Sequence, residues 1–366
     1  MIPFLDLPNL HKPLLPAFLE AFTEIVGNAS FIGGPHVKNF ETAFAAFCQT
    51  QGCVGVANGT DALMLALRAV GVGPGDKVAL PTYTFIATAE AVTMLGAVPC
   101  LVDVDPQTYT LNPEALKTLS GLKAVIPVHL YGQPADMQPI LSLAKTRGFA
   151  VIEDCAQAHG ATYEGDSVGS LGQAGCFSFY PGKNLGALGD AGAVVSQDPA
   201  LLERIRCIAN HGRSAPYLHS EPWVNSRLDA IQAAALQLNL PHLQAWNAAR
   251  QNLAKIYDQR LKDLGITPPA VGAHRTHIYH QYVIQIPERQ RLMQAFANEQ
   301  IGYAVHYERP IHLQQAYRAL GHGPGDFPVA EGIAAHCFSL PIDPLLSQPQ
   351  LERVVQILRA HVRAGG

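Results

Sequence analysis

Short apolar runs with strand-like composition alternate with longer helical stretches between about residues 50 and 195, and this alternation constrains the fold more than any other feature of the chain. Such an order predicts an α/β fold with a largely parallel sheet that helices cover on both faces. The predicted strands lie at 54–57, 77–80, 98–104, 124–127, 150–153, 176–179 and 192–195.

The pattern changes after the last of these runs. Residues from about 199 to 261 are rich in Ala, Leu and Gln at helical spacing, which predicts long helices. A Pro268–Pro269 pair and a loop up to His274 end this pattern, and a strand at 281–286 with helices at 288–298 and 351–362 follows. We therefore expect a large domain over 15–250 and a smaller C-terminal α+β domain over 251–366, joined by the N-terminal segment 1–14.

Charge and hydropathy exclude several classes of partner. The formal net charge is −4 and the Lys and Arg residues form no basic stripe, so we expect no nucleic-acid partner. The longest apolar runs, such as 62–67 and 191–195, are much shorter than the ~20 residues that a membrane-spanning helix needs. The N-terminus shows no charged-then-apolar signal pattern. We expect a cytoplasmic protein without a membrane partner.

The patterns of cysteine, histidine and glycine residues predict neither a metal site nor a dinucleotide-binding site. The chain has 7 cysteines and no C-x-x-C pair, which argues against a disulfide framework and a zinc site. His274, His277 and His280 have metal-like spacing, but they lie where a loop enters a strand and alternate residues face opposite ways. The glycines at 71, 73 and 75 lack the spacing and the leading strand of a dinucleotide-binding loop. We expect no metal.

The segment Asn58-Gly59-Thr60-Asp61 follows an apolar strand and opens a helix. Thr60 is a suitable N-cap, and the glycine before it allows a ligand to approach the backbone closely. Free N–H groups at a helix start, with the helix dipole behind them, favour an anion such as phosphate. A turn that only caps its helix remains the alternative.

Lys183 lies in a glycine-rich loop between two predicted strands, among small and apolar residues. A desolvated lysine has a lowered pKa and becomes a nucleophile toward carbonyl groups. The alternative is a solvated loop lysine. The strands and glycines around Lys183 favour the buried, functional interpretation.

Asp154 ends the predicted strand at 150–153, next to Glu153, at the edge of the sheet where ligands bind in open α/β folds. A carboxylate there can bind a metal, act as a general base, or pair with a protonated pyridine nitrogen. Because Lys183 follows 29 positions later, we favour the third role, in which the acid keeps the ring an electron sink. A structural aspartate is the alternative.

These segments, together with others along nearly the whole chain, are similar to the motifs of the DegT/DnrJ/EryC1/StrS family of sugar aminotransferases. The matching segments are 31–41, 58–63 (NGTDAL), 81–88, 127–132, 153–154, 178–192 (beginning SFYPGKNLG), 225–229 and 305–312. The resemblance implies pyridoxal 5′-phosphate (PLP) as cofactor. It also implies a fold-type-I aminotransferase, with a mixed, mostly parallel seven-stranded sheet in the large domain and a smaller C-terminal α+β domain.

The resemblance also implies roles for individual residues. Lys183 would form the Schiff base with PLP, Asp154 would pair with the ring nitrogen, Phe85 would stack on the ring, and Gln157 would lie beside it. The residues implied to hold the phosphate are Gly59, Thr60, Asp61 and Ser178. Asn225 would reach the phosphate of the neighbouring subunit, which implies a homodimer with shared active sites.

The substrate class follows from the same resemblance. The segments around Tyr180, His306 and Tyr307 look most like those of enzymes that act on dTDP-3-keto-6-deoxyhexoses, and these three residues would line the sugar site. Glutamate would be the amino donor, with Arg213 and Arg227 both open as anchors of its carboxylate. UDP-linked 3-keto sugars and 4-keto sugars remain alternatives.

Two other functions within the family remain to be weighed. Sugar dehydratases of the family have histidine at the position of Lys183, so the lysine argues against that reaction. A noncatalytic regulatory protein would need a DNA-binding or partner module, and the sequence leaves no segment for one.

Overall fold

The seven strands predicted from the sequence are all present in one sheet. A computed structural model describes residues 1–365, and their side chains as far as Val362. In chain order the strands are β1 (Gly52–Val56), β2 (Lys77–Pro81), β3 (Val98–Val102), β4 (Leu122–Val125), β5 (Ala150–Asp154), β6 (Thr162–Tyr163), β7 (Asp166–Ser167), β8 (Ala174–Ser178), β9 (Gly192–Ser196), β10 (Arg213–Ala215), β11 (Leu218–His219), β12 (Tyr282–Gln285) and β13 (Cys337–Leu340).

The seven-stranded sheet has the order β1-β9-β8-β5-β4-β2-β3. Strand β9 is antiparallel to both of its neighbours, whereas the pairs from β8 to β3 are parallel. The expected mixed, mostly parallel sheet is therefore confirmed. The pairs β6–β7, β10–β11 and β12–β13 form separate two-stranded sheets.

Helices cover both faces of the sheet. They are α1 (Leu7–His11), α2 (Leu15–Gly27), α3 (Gly34–Phe47), α4 (Gly59–Ala69), α5 (Ala87–Thr93), α6 (Pro113–Leu116), α7 (Met137–Arg147), α8 (Pro199–Ile208), α9 (Ala230–Asn239), α10 (Leu243–Lys262), α11 (Arg289–Asn298), α12 (Pro328–His336) and α13 (Gln348–Gly365). Among the described residues, no helix is long and apolar enough to cross a membrane.

Alternate residues of the strands enter different cores. Val54 and Val194 pack with α4, α5 and α8, whereas Cys53, Phe177 and Val195 pack on the other face with α3 and α9. The side-chain period of two along a strand requires this division. Because both faces are buried, the strands are continuous apolar runs, which is why they were visible in the sequence.

The helical prediction for 199–261 is wrong over residues 209–229. There the chain leaves α8, forms the β10–β11 hairpin and returns in an extended segment before α9. Gly212 has a φ of +66°, and a Cβ on it would lie 1.9 Å from the Glu221 carbonyl oxygen, so only glycine fits this turn. Pro216 and Pro222 also interrupt a helical hydrogen-bond ladder.

A second hydrophobic core lies in the C-terminal part of the chain. It contains Tyr257, Tyr282, Phe296 and Phe338, together with Ile2 from the N-terminus. The Ile2 N–H donates to the Gln300 carbonyl, and the Gly302 N–H donates to the Ile2 carbonyl. Helix α10 runs through position 250, and the domain limits 15–250 and 251–366 stay a prediction.

Side chains occupy the free edge of β1, where a further strand could otherwise pair. The Glu41 carboxylate accepts a hydrogen bond from the Gly55 N–H (2.7 Å), and Arg206 donates to the Cys53 carbonyl (3.2 Å). Just beyond the strand, the Ala57 N–H donates to the Ser226 hydroxyl (3.1 Å). These three backbone groups alternate along the chain, as outward-facing groups of an antiparallel strand do.

Candidate active site

The two acids at the end of β5 have different surroundings. Glu153 is fully buried, and its carboxylate accepts four hydrogen bonds at 2.7–2.9 Å, from the N–H groups of Gly169, Leu171 and Gly172 and from His129 Nε2. The Ala135 N–H donates to His129 Nδ1, so the proton of this ring lies on Nε2. Glu153 is therefore saturated by the loops around it and holds them in place.

Asp154 is buried and keeps a charged neighbour. Its carboxylate accepts hydrogen bonds from the Thr88 hydroxyl (2.8 Å) and the Ala156 N–H (3.2 Å). Burial raises the pKa of Asp154, while these hydrogen bonds and the nearby Lys183 amine act in the opposite direction. Asp154 and Lys183, which the sequence placed 29 positions apart, lie close enough to interact electrostatically.

Lys183 lies in the loop between β8 and β9. Its N–H donates to the Tyr180 carbonyl (2.8 Å), which forms a tight turn. Gly186 closes the same loop, because a Cβ there would lie 2.4 Å from the Pro181 carbonyl oxygen. Burial lowers the pKa of Lys183 to about 8, and the Asp154 carboxylate only partly opposes this effect. The amine therefore carries a large neutral fraction near pH 8, as a nucleophile or proton carrier must.

The N-terminus of α4 faces Ser178. Its N-cap is Asn58, whose side chain accepts from the Asp61 N–H (2.8 Å), so the expectation that Thr60 caps the helix is wrong. Asn58 keeps an extended backbone after β1, whereas Thr60 already lies within the first turn. A Cβ on Gly59 would lie 2.6 Å from Ser178 Cβ. The glycine thus allows the helix start and the Ser178 hydroxyl to form one cradle, with the N–H groups of Gly59 and Thr60 in the first turn.

Gln157 and Tyr307 join the two parts of the chain at the site. The Tyr131 N–H donates to Gln157 Oε1 (2.6 Å), and Gln157 Nε2 donates to the Tyr307 hydroxyl (2.9 Å). The Phe85 and Tyr307 rings lie 5.9 Å apart. Asp154 also acts on Tyr307, because its charge, after burial, raises the pKa of that phenol. The structure therefore connects Gln157, Phe85 and Asp154 through Tyr307, and Asp154 in turn lies near Lys183.

Two buried tyrosines without an expected role hold the His306–Tyr307 segment. The Tyr83 hydroxyl donates to the His306 carbonyl (2.7 Å) and accepts from the Tyr307 N–H (2.7 Å), and the Tyr131 hydroxyl also contacts the His306 carbonyl. His306 Nδ1 pairs with the Ser339 hydroxyl (2.8 Å). Both tyrosines belong to matching segments, 81–88 and 127–132, but nothing local indicated their distant partner.

The remaining expected residues lie on exposed segments. Phe85 and Tyr180 are 56% and 59% exposed, which leaves both rings accessible to a ligand. Asn225 is exposed. Among the described residues, no side-chain hydrogen bond connects Asn225 with Lys183. Helix α9 begins at Ala230 with Asp229 as N-cap, so Asn225 caps no helix of its own chain.

The two arginines considered as donor anchors are also outside this cluster. Arg213 is exposed on the β10–β11 hairpin, and Arg227 is exposed and donates to Asn210 (3.4 Å). The three histidines of the run at 274–280 have different surroundings. His274 is exposed, His277 stacks on Tyr279, and His280 pairs with Asn184.

Known proteins are similar to this sequence over nearly its whole length. A model of the DegT/DnrJ/EryC1/StrS aminotransferase family matches residues 15–359. The chain belongs to this family. Its relatives include the erythromycin biosynthesis sensory transduction protein EryC1 of Saccharopolyspora erythraea, 44% identical over 98% of this chain and 99% of that protein.

Two further relatives have names that specify a reaction. UDP-N-acetyl-3-dehydro-alpha-D-glucosamine 3-aminotransferase of Acidithiobacillus ferrooxidans is 44% identical over 98% of this chain and 97% of that protein. The dTDP-3-amino-3,4,6-trideoxy-alpha-D-glucose transaminase of Streptomyces venezuelae is 41% identical over 98% and 95%. The crystal structure of S. venezuelae DesV has a TM-score of 0.96 and 40% identity, covering 99% of this chain and 98% of that one. The expected fold-type-I aminotransferase is confirmed.

Members of this family use PLP, and the residues of the site fit it. The Gly59–Ser178 cradle offers N–H and hydroxyl donors to a phosphate. The buried Asp154 carboxylate, whose pKa is raised by burial and lowered by the nearby Lys183 and His129, suits a protonated ring nitrogen. The lowered pKa of Lys183 suits reaction with an aldehyde.

Proposed function

We propose that this aminotransferase moves an amino group from glutamate to carbon 3 of a nucleotide-linked keto sugar, most specifically a dTDP-3-keto-6-deoxyhexose. The observation that carries the proposal is the pairing of Lys183, with its lowered pKa, and the buried Asp154 at the end of β5. The names of two relatives, one UDP-linked and one dTDP-linked, both place the amino group at carbon 3. Carbon 3 is therefore better supported than the nucleotide.

The proposed chemistry divides among a few side chains. PLP, when bound, supplies a ring that withdraws electrons from the reacting carbon. Asp154 would hold a proton on the ring nitrogen of the bound cofactor, and Lys183 would act as the acid and base that moves the proton during transamination. The Ser178 hydroxyl and the N–H groups of Gly59 and Thr60 bind the phosphate. The Asp61 N–H already donates to Asn58, so the contribution of Asp61 to this cradle is through its place in the first turn.

Tyr180, His306 and Tyr307 are proposed to contact the sugar. Burial lowers the pKa of His306 to about 4, so this imidazole is neutral near pH 7 and acts as a hydrogen-bond partner rather than a charge. Gln157 Nε2 donates to the Tyr307 hydroxyl, so the phenol proton remains available to another acceptor. Neutral donors and acceptors of this kind suit sugar hydroxyl and carbonyl groups.

We also propose a homodimer in which Asn225 completes the phosphate site of the partner subunit. Its side chain is exposed and caps no helix, which removes the simplest local role for this residue. An isologous dimer would supply two equal sites, each built from both chains.

A panel of substrates tests the proposal. The purified protein, loaded with PLP, is incubated with glutamate and with dTDP- or UDP-linked 3-keto and 4-keto sugars, and products are identified by mass spectrometry. We expect amination of 3-keto sugars, with the dTDP-linked 6-deoxyhexose preferred. Preferential turnover of a 4-keto or UDP-linked sugar would contradict the assignment of a dTDP-3-keto-6-deoxyhexose as substrate.

A second experiment tests the lysine itself. Borohydride reduction of the holoenzyme should fix the cofactor covalently on Lys183, and peptide mapping by mass spectrometry locates the adduct. An adduct on another lysine, or none, contradicts the central assignment. The name of the EryC1 relative suggests a regulatory role as second candidate. If the protein has only such a role, none of the sugars in the panel should be aminated.

A further inference from the structure

A buried chain of side-chain hydrogen bonds begins at the residue next to Lys183. Asn184 Nδ2 donates to Asn247 Oδ1 (2.8 Å) and to the Ile278 carbonyl (3.4 Å), while Asn184 Oδ1 lies 3.1 Å from His280 Nδ1. Asn247 Nδ2 donates to the His159 carbonyl (2.8 Å). Asn184, Asn247 and His280 are 2%, 6% and 7% exposed, so their polar groups have little access to bulk solvent. We refer to these three residues as the amide chain.

Backbone carbonyls at two points fix the direction of the amide chain. The carbonyls of His159 and Ile278 only accept hydrogen bonds, so the NH2 groups of Asn247 and Asn184 must face them. Asn184 Oδ1 then faces His280, whose Nδ1 must carry the proton. Burial, followed by the charge of Lys183, lowers the pKa of His280, which keeps this ring neutral and its other nitrogen unprotonated.

The amide chain joins four segments that build the site. They are the lysine loop, helix α10, the turn that carries Gln157 and His159, and the segment before β12. Gly160, with a φ of +88°, lets this turn approach α10, because a Cβ on it would lie 3.2 Å from Asn247 Nδ2. A shift of Asn184 would therefore move the backbone of Lys183 relative to Gln157.

We propose that Asn184 is a positioning residue for Lys183, acting through Asn247 and His280. This inference rests on the proposed role of Lys183 as the lysine that reacts with the cofactor. Four flexible carbons separate its amine from the backbone, so the position of the amine depends on how the backbone at Lys183 and Asn184 is held. A displacement of about 1 Å at a reacting group lowers turnover by up to about 10²-fold.

The test compares Asn184→Leu with Asn239→Leu. Asn239 is also fully buried and also holds this loop, through a 2.8 Å hydrogen bond from its Nδ2 to the Gly186 carbonyl, but it does not contact the amide chain. Both variants lose buried hydrogen bonds, and thermal unfolding measures the resulting loss of stability. The functional readouts are kcat, KM, the dissociation constant of PLP, and the pH midpoint of the visible absorbance of bound cofactor.

We expect Asn184→Leu to lower kcat by about 10- to 100-fold, with a much smaller change in KM, and to shift the absorbance midpoint. Asn239→Leu should change stability while leaving kcat and the midpoint close to those of the unaltered protein. Asn247→Leu interrupts the same amide chain of hydrogen bonds and should have the same effect as Asn184→Leu. The double variant should be no worse than either single one, because both remove one coupled unit.

Equal effects of Asn184→Leu and Asn239→Leu on kcat and midpoint would overturn the proposal and assign Asn184 to stability alone. If Asn184→Leu does not fold, Asn247→Leu against the same control decides the question. Borohydride mapping of the unaltered protein separates this test from the proposed function. If the adduct is on Lys183 but Asn184→Leu and Asn247→Leu change neither kcat nor the absorbance midpoint, only the positioning role of Asn184 is refuted. An adduct on another residue refutes the proposed function.

Discussion

Replacing Asp154 by asparagine removes a charge while preserving the shape of the side chain. Asp154 accepts from the Ala156 N–H and the Thr88 hydroxyl, and asparagine offers only one acceptor oxygen. The Thr88 hydroxyl lies 3.1 Å from the Thr84 hydroxyl, so it can reverse, donate to Thr84 and accept from the new NH2 group. We therefore expect Asp154→Asn to fold and to retain part of its cofactor.

The same substitution should reduce turnover severely. Asparagine cannot keep the ring nitrogen protonated, and a loss of roughly 3 kcal/mol in transition-state stabilisation corresponds to a ~10²-fold fall in kcat. The Asp154 carboxylate raises the pKa of Lys183, so its removal should also lower that pKa below about 8. Single-turnover kinetics with glutamate measures the first effect. The rate of PLP capture by the cofactor-free variant, followed against pH, measures the second.

Glu153→Gln is the matched control, because Glu153 is the adjacent acid on the same strand. Its four donors leave no place for an NH2 group, so at least one buried donor loses its partner, at a cost of about 1–3 kcal/mol each. We expect lower thermal stability with turnover per bound cofactor nearly unchanged. The reasoning is refuted if Asp154→Asn turns over at a normal rate, or if Glu153→Gln loses turnover to the same extent at temperatures where it is folded.

Three further predictions concern the cofactor site and its assembly. Gly59→Ala should weaken PLP binding at least ~10-fold, as measured by equilibrium titration, because the backbone and the phosphate donors must be held closely. Gly73→Ala is the control and should not weaken binding, because a Cβ there meets nothing within 4 Å. In the cofactor-free protein, the rate of PLP capture by Lys183 should rise with pH through about 8, because burial favours the neutral amine; a midpoint near that of free lysine would contradict the buried geometry. Mixing inactive Lys183→Ala and Asn225→Ala proteins should restore part of the activity, since one site of each heterodimer has both residues intact; proven heterodimers without activity would show that each subunit builds its own site.

Much of the sheet could be predicted from the sequence because its strands are buried on both faces. The runs at 77–80 and 192–195 coincide with β2 and β9 to within one residue, whereas the run at 98–104 extends past the end of β3 at Val102. Composition wrongly predicted a helix for residues 209–229, where the backbone conformation of Gly212 decides the path of the chain. Helical propensity is a weak signal where tertiary contacts and turns dominate.

The candidate site was predictable to the extent that its residues lie in short, recognisable segments. Lys183 and Asp154 were found from local patterns, and the structure brings them together. Tyr83 and Tyr131 were not found, because they contact the His306 carbonyl across 223 and 175 positions of the chain. The choice between Asn58 and Thr60 as N-cap was also beyond a local pattern, since both residue types cap helices well and only the backbone after β1 distinguishes them.

The occupied edge of β1 bears on how copies of this protein can associate. An open strand edge is a template on which a second chain can add its own strand, and repetition of that contact builds fibres rather than closed assemblies. Glu41 and Arg206 already take up the backbone groups of Gly55 and Cys53, so an added strand would have to displace these side chains and break their ion pair before it could hydrogen-bond. Growth of the sheet by addition of a strand at the β1 edge is therefore blocked at the outset.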